Sequence, residues 1–269
     1  MEHLLAAWAT VARQLSEARH ILLLCDYDGT LTPIVERPEM AELSEKAREL
    51  LGALATHPKF TVGVMSGRSL SDLKDKVRVS NVVYAGNHGM EMEGPGLRYV
   101  NPAAEELRPL LRLIHQVLSR ALGAIPGVLV EDKGLTLSVH YRIVEPGKTA
   151  EVKSVVEQAV GMAQAAGKVR LTAGKMVYEI RPAVEWDKGK ALKLLIEKYG
   201  RRDKTAAVVY LGDDRTDEDA FKAVEEYGNG VSVFVSEEKA ESCARYFLRS
   251  PAEVISLLGV LQGTTPRGH

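Results

Sequence analysis

The chain has 269 residues, 45% of them hydrophobic and 26% charged, with a formal net charge of -1. This balance excludes a disordered or collagen-like chain, and the lack of a basic excess speaks against a nucleic-acid partner. The longest apolar runs, such as Ile21–Cys25, are far shorter than the ~20 residues a membrane span needs.

Met1–Arg19 lacks the basic start and apolar centre of a secretory signal. Leu4, Leu5, Ala7, Trp8, Val11, Ala12 and Leu15 recur at helical spacing, which predicts an amphipathic helix over this stretch. Ile21–Cys25 then reads as a strand buried on both faces, ending in Asp26-Tyr27-Asp28-Gly29. A helix over Leu43–Leu54 is predicted, with Ser44 as its N-cap. The next buried strand, Phe60–Met65, stops at Ser66-Gly67-Arg68; a helix follows over Ser69–Val77, and a third strand over Val82–Ala85 ends at Gly86-Asn87-His88-Gly89. Strand and helix alternating in this way predict an α/β domain with a parallel sheet.

The pattern changes after the Gly94-Pro95-Gly96 turn. A long helix over Pro102–Leu122, strands over Val128–Lys133 and Leu135–Arg142, a helix over Thr149–Ala165 and strands over Val169–Thr172 and Met176–Ile180 predict an α+β unit with an antiparallel sheet. The first pattern then returns. A helix over Lys188–Tyr199 precedes the buried strand Ala206–Leu211, which ends in Gly212-Asp213-Asp214. Helix Glu218–Tyr227, strand Val231–Val235, a helix after Pro251 and a frayed tail over Thr264–His269 complete the chain. The economical reading is a three-layer, Rossmann-like α/β core of residues 1–100 and 184–269, interrupted by an α+β cap of residues 101–183.

Polar clusters stand at the ends of three of these strands: Asp26 with Asp28, Ser66 with Arg68, and Asp213 with Asp214. The carboxyl ends of parallel strands are where such sheets bind ligands. Carboxylates crowded there need a cation or a strong donor set, and hard oxygen ligands suit Mg²⁺. Gly29 allows a sharp turn with N–H groups directed at an anion. Asp-Gly alone would be read as a turn; the whole string Asp-Tyr-Asp-Gly-Thr-Leu-Thr-Pro after an apolar strand is not. The two cysteines, Cys25 and Cys243, form no metal-binding pattern and no disulfide framework. Cys25 is read as a buried thiol, and the cytoplasm is the expected compartment.

Asp26–Thr30 resembles the D-x-D-G-T motif of haloacid-dehalogenase-like phosphatases, followed in order by Ser66, Lys188 and Gly212-Asp213-Asp214 with Asp217. Within that superfamily the chain is most similar to the trehalose-6-phosphate phosphatases. The narrower likeness rests on Asp26–Ile34, Ser66–Arg68, Gly86–Gly89, Glu131–Lys133, His140–Arg142, Glu179–Pro182 and Gly212–Phe221. The resemblance implies that Asp26 attacks phosphorus and that Asp28 protonates the leaving sugar oxygen and later activates water. It also implies Mg²⁺ on the Asp26 carboxylate, the Asp28 carbonyl and Asp213, supported by Asp214 and Asp217, with Ser66 and Lys188 holding the phosphoryl group. Lys188 opens a predicted helix, where a lysine is usually solvated and opposes the helix dipole. Arg68 is expected to bind an anion or brace its loop. Asn87 and His88 are candidates for substrate contact, with a structural loop role equally open for His88.

In the predicted cap, Glu131 and Lys133 project from one strand face, Thr136, Ser138, His140 and Arg142 share a face of the next, and Lys175, Glu179 and Arg181 are similarly spaced. Such a face could simply meet water. The resemblance assigns Glu131, Lys133 and Glu179, with Arg142 and Lys175, to sugar hydroxyls. The cap is expected to be mobile and to close over the substrate. The expected enzyme is a monomer acting on a small sugar phosphate, with a trehalose-phosphate synthase as a partner in trans left open. Sucrose-phosphate or mannosyl-phosphoglycerate phosphatases, a phosphomutase and a catalytically silent sugar-phosphate-binding subunit remain as alternatives.

Overall fold

The computed structural model describes residues 1–174, 176–200, 205–237 and 241–263; Lys175 and the predicted tail over 264–269 lie outside them. The described strands are β1 (Glu2–His3), β2 (His20–Asp26), β3 (Phe60–Met65), β4 (Val82–Gly86), β5 (Glu91–Gly94), β6 (Leu97–Val100), β7 (Leu129–Asp132), β8 (Leu137–His140), β9 (Val169–Ala173), β10 (Val177–Pro182), β11 (Ala206–Gly212), β12 (Gly230–Val235) and β13 (Tyr246–Leu248). The α-helices are α1 (Trp8–Glu17), α2 (Glu45–Thr56), α3 (Leu70–Val77), α4 (Pro102–Glu106), α5 (Arg108–Leu122), α6 (Thr149–Ala165), α7 (Lys188–Tyr199), α8 (Glu218–Tyr227) and α9 (Pro251–Gly263). They fall into two compact units, Met1–Tyr99 with Trp186–His269, and Val100–Glu185. Among the described residues no helix is long and apolar enough to cross a membrane.

The first unit is built on a sheet ordered β1-β13-β12-β11-β2-β3-β4-β5-β6. Strands β1 to β4 of that order run parallel, and β5 returns antiparallel to β4. The strand period of two divides each central strand between two cores. Ile21, Leu23 and Cys25 of β2 join residues of α1, α2, α3 and α9 on one side, while Leu22 and Leu24 join residues of α7 and α8 on the other. A layer of helices therefore covers each face. Leu22, Leu23 and Leu24 are completely buried, and each contributes roughly 1.5–3 kcal/mol of apolar burial. At the sites where the chain passes into and out of the second unit, the rings of Tyr99 and Trp186 stack with centroids 5.5 Å apart.

The second unit is an antiparallel sheet, β7-β8-β10-β9. Leu137, Val139 and Ile180 on one of its faces are sealed by Leu111, Ile114, Leu118 and Leu122 of α5 and Val152, Val156 and Val160 of α6. The long predicted helix Pro102–Leu122 is two helices, broken at Leu107. Pro109 accounts for the break: it has no N–H to donate, and its ring crowds the carbonyl of Glu105. At the N-terminus the predicted helix starts late, because Glu2 and His3 pair with Tyr246 and Phe247 of β13 and the Leu4 N–H donates to the Phe247 carbonyl. Ser44 caps α2 as expected, its hydroxyl accepting from the Ala47 N–H.

Candidate active site

Strand order positions the candidate site. The chain runs from β2 outward to β3 and β4 on one side, then crosses to β11, β12 and β13 on the other, so the order reverses between β2 and β11. A reversal of this kind opens a crevice at the carboxyl ends of the strands. The register aligns those ends: Leu211 lies beside Cys25, Asp26 beside Met65, and Met65 beside Ala85. Asp26, Ser66, Asn87 and Asp213 therefore leave the sheet as neighbours.

Asp26 and Lys188 are 5% and 2% exposed. Lys188 opens α7, whose N-cap is Asp187, yet its side chain runs inward, with Nζ 2.5 Å from Asp26 Oδ1 and 2.6 Å from Asp217 Oδ1. Burial alone would strip Lys188 of its proton, but Asp217 and Asp26 outweigh it and hold the ammonium charged well beyond its ordinary range. Burial drives the Asp26 carboxyl well above the ordinary carboxylate range against the pull of Lys188, and Asp217, Asp213 and Asp214 add to the rise.

Asp217 is completely buried and bonded on both oxygens. Its Oδ1 accepts from Lys188 and from the Tyr210 hydroxyl at 2.7 Å, and its Oδ2 accepts from the backbone N–H groups of Asp213 and Asp214, both at 3.1 Å. This carboxylate braces the loop after β11 and locks Lys188 in place. Gly212 makes room for it, since a Cβ there would lie 2.3 Å from the Asp217 carboxyl carbon. The Asp214 carboxylate accepts from the N–H and hydroxyl of Thr216; burial, which would raise it, is outweighed by Lys188 and these bonds, and its pKa lies below the ordinary range.

Asp213 is different. Its Oδ1 accepts from the Thr30 hydroxyl at 3.3 Å, and burial, with Asp217 and Asp214 nearby, pushes its carboxyl up to about 7. Gly29 adopts a φ of +89°, and a Cβ there would sit 2.1 Å from Asp213 Oδ2. Only glycine tolerates both conditions. Asp26, Asp213 and Asp217 present oxygens within 4.8 Å of one another. Two carboxylates thus hold the Lys188 ammonium, a third, Asp213, stands beside them, and every donor of this group is a hard oxygen. Such a set fits a divalent cation of the Mg²⁺ type.

The remaining strand-end residues are drawn together as well. Ser66 is buried, its backbone N–H donating to the Ala85 carbonyl and its Oγ accepting from the Arg68 N–H. The Arg68 guanidinium grips Asp28, with Nε to Oδ2 and Nη2 to Oδ1 both at 2.7 Å. The Asn87 side chain is buried, and its Nδ2 donates to Glu91 at 2.6 Å, so its amide braces the loop after β4. Asn87 and His88 both take positive φ values, 49° and 56°, and the His88 ring lies against Gly67, where a Cβ would come within 2.8 Å of it.

In the second unit, Glu131 lies opposite Ser138, and Ser138 opposite Glu179, which puts the three on one face across β7, β8 and β10. Glu131 Oε2 is 3.0 Å from His140 Nε2 and 3.7 Å from Lys133 Nζ, and Glu179 pairs with Arg181. Arg142 lies past the end of β8 and is exposed, so it does not share the strand face predicted for it. Lys175 lies outside the described residues. Sequence reasoning missed Thr30, Tyr210 and Asp72. Thr30 stood in the motif without a task, and Tyr210 looks like any apolar strand residue until Asp217 is seen beneath its hydroxyl.

Residues 24–252 match the family model described as trehalose-phosphatase. Trehalose-phosphate phosphatase B of Arabidopsis thaliana is 36% identical over 253 residues, which are 90% of this chain and 66% of that protein. Trehalose 6-phosphate phosphatase RA3 of Zea mays is 37% identical over 257 residues, 90% of this chain and 70% of that one. The chain thus spans about two thirds of the length of these curated relatives. Among solved structures, the C-terminal domain of the C. albicans trehalose-6-phosphate phosphatase superposes with a TM-score of 0.78 at 28% identity, covering 96% of this chain and 97% of that one.

Proposed function

The chain belongs to the trehalose-phosphatase family, and from that premise we propose that it hydrolyses trehalose 6-phosphate to trehalose and phosphate through a phosphoryl group carried on Asp26. The observation that carries this reading is the placing of Asp26 at the end of β2, buried, bonded to Lys188 and faced by Asp213.

In the first step an Asp26 oxygen forms a bond to phosphorus while the bond from phosphorus to the sugar oxygen breaks. Asp28 gives its proton to that leaving oxygen. In the second step Asp28, now a carboxylate, takes a proton from water. The water oxygen bonds to phosphorus and the bond to Asp26 breaks, releasing phosphate. Lys188 opposes the burial that raises the Asp26 carboxyl and offsets charge on the transferred group. Ser66 would donate its hydroxyl proton to a phosphoryl oxygen. Asp26 and Asp213 would hold Mg²⁺, together with the Asp28 carbonyl, and Asp214 and Asp217 would support them. Once bound, the ion supplies charge neutralisation for Asp26 and for the phosphoryl oxygens. It would also counter the like-charge crowding that adds to burial in raising Asp213.

Glu131, Lys133 and Glu179 of the second unit are the proposed partners of the sugar hydroxyls. Charged hydrogen-bonding side chains in a row on one sheet face suit a polyhydroxylated ligand.

The test is phosphate release from trehalose 6-phosphate, sucrose 6-phosphate, mannosyl-phosphoglycerate and glucose 6-phosphate, each with Mg²⁺ and with chelator. Turnover of trehalose 6-phosphate well above the others, lost on chelation, is the expected result. Preference for another sugar phosphate overturns the substrate assignment, and equal rates in chelator overturn the metal assignment.

A further inference from the structure

The guanidinium of Arg68 is built into the loops around Asp28. Its side chain is only 9% exposed. Nε and Nη2 bind both oxygens of Asp28 at 2.7 Å, Nη2 also reaches the Pro38 carbonyl at 2.8 Å, and Nη1 binds Asp72 Oδ2 at 2.7 Å. The guanidinium carbon stands 5.3 Å from the centre of the Tyr27 ring. Four of the five N–H groups are thus directed at protein acceptors, which come from the loop after β2, the loop preceding α2 and the first turn of α3.

An arginine that binds a transferring phosphoryl group needs its paired donors open toward the substrate. Here the paired edge formed by Nε and Nη2 is the one that holds Asp28. A bidentate grip of this kind fixes the plane of a carboxylate as well as its position. Asp28 is 39% exposed at its side chain, so without Arg68 it would be free to turn among rotamers.

We propose that Arg68 is a positioning residue for Asp28 and not a ligand of the phosphoryl group: it aims the Asp28 carboxyl at the leaving oxygen, with Asp72 and the Pro38 carbonyl holding the guanidinium from behind. This inference rests on the acid role given to Asp28 above. It concerns the step in which the phosphorus–sugar oxygen bond breaks and the proton of Asp28 passes to that oxygen.

A residue that serves proton delivery matters most when the leaving group is basic. A sugar alkoxide needs the proton, while p-nitrophenolate leaves without it. A phosphoryl ligand serves both substrates alike. The measurement is kcat/KM, which reports steps up to the phosphorylation of Asp26, for trehalose 6-phosphate and for p-nitrophenyl phosphate at fixed Mg²⁺, together with competitive inhibition by inorganic phosphate. In Arg68→Lys, which keeps the charge but loses the bidentate grip, kcat/KM for the sugar phosphate should fall about 100-fold. That for the aryl phosphate should fall by less than about fivefold, and phosphate inhibition should stay within about twofold. Asp72→Asn, which loosens the guanidinium without removing it, should show the same split at about tenfold or less, and it serves if Arg68→Lys does not fold. Equal losses on both substrates, weakened phosphate inhibition, or no loss on either overturns the proposal. If the wild-type protein prefers another sugar phosphate, the substrate assignment fails, and the same comparison on that sugar phosphate still decides the role of Arg68.

Discussion

Where β2 and β11 end, Asp26, Lys188 and Asp217 are buried and locked to one another, whereas on the sheet of the second unit Glu131, His140, Glu179 and Arg181 stay partly open and bond sideways along the face. Lys188, Asp217 and Asp26 expose 2%, 0% and 7% of their side chains, while Glu131, His140, Glu179 and Arg181 expose 33%, 22%, 22% and 26%. Burial makes each charge in the first set depend on its neighbours, because an ion left without its partner in low dielectric is costly. In the second set a lost partner is replaced by water. The first arrangement suits a reaction that must happen in one way. The second suits recognition, where contacts are made and released with each substrate.

Substitutions can break or sharpen this contrast. Asp26→Asn should give the largest effect, a loss of turnover of at least ~10³-fold on every phosphate ester, since it removes the proposed attacking atom; circular dichroism should show an intact fold. Lys188→Met comes next. It leaves Asp26 and Asp217 facing each other without a cation, and urea unfolding should show a loss of about 3–5 kcal/mol alongside reduced activity. Glu131→Gln, on the open face, should lower kcat/KM for trehalose 6-phosphate by roughly 10–100-fold, as a lost charged hydrogen bond would, with little change in p-nitrophenyl phosphate turnover or in stability. A comparable fall on both substrates would mean that the two regions do not divide the work as their burial suggests.

The smallest effect concerns Asp213. Its folded-state pKa of about 7 lies above the ordinary carboxylate value, so the folded chain holds a proton that the unfolded chain has released. Stability from this group is present at low pH and is lost as pH rises toward and through 7. In chelator, the thermal midpoint should drop by on the order of a few degrees between pH 5.5 and 8. Mg²⁺ or Asp213→Asn should flatten that slope.

Much of this layout was legible in the sequence because Ile21–Cys25 and Ala206–Leu211 are continuous apolar runs, and Phe60–Met65 a largely apolar one, each ending beside a polar cluster. Such a run has one comfortable place, the middle of a parallel sheet, and its end is then the sheet's edge. Ser44 was equally readable as the cap of α2 and accepts from the Ala47 N–H; Ser69, expected as the first residue of the next helix, stands before α3 instead and caps it, accepting from the Asp72 N–H. Partnerships were harder to read. Arg68 follows Ser66-Gly67 and looks like an anion ligand, but the destination of a five-donor side chain depends on which acceptors the fold gathers around it, here Asp28, Asp72 and Pro38. Tyr210 and Asp217 were invisible as a pair for the same reason: one sits mid-strand and the other at a helix start, and only the loop between them brings hydroxyl and carboxylate together. The break at Leu107 was missed because apolar periodicity continues across it, while Pro109, a local backbone effect, decides the matter.

The stacked rings of Tyr99 and Trp186 carry a consequence for how the gene can be edited. They mark the two ends of an interruption that begin and finish beside each other, an arrangement in which segments are readily inserted or removed. A short glycine–serine bridge from residue 99 to residue 186 would delete the whole of Val100–Glu185 and leave Asp26, Asp28, Ser66, Arg68, Lys188, Asp213 and Asp217 in the retained unit. The second unit is in this sense an exchangeable cassette. A library of other antiparallel sheets could be spliced between the same two aromatic residues, and substrate choice selected, under the proposed mechanism, without rewriting Asp26.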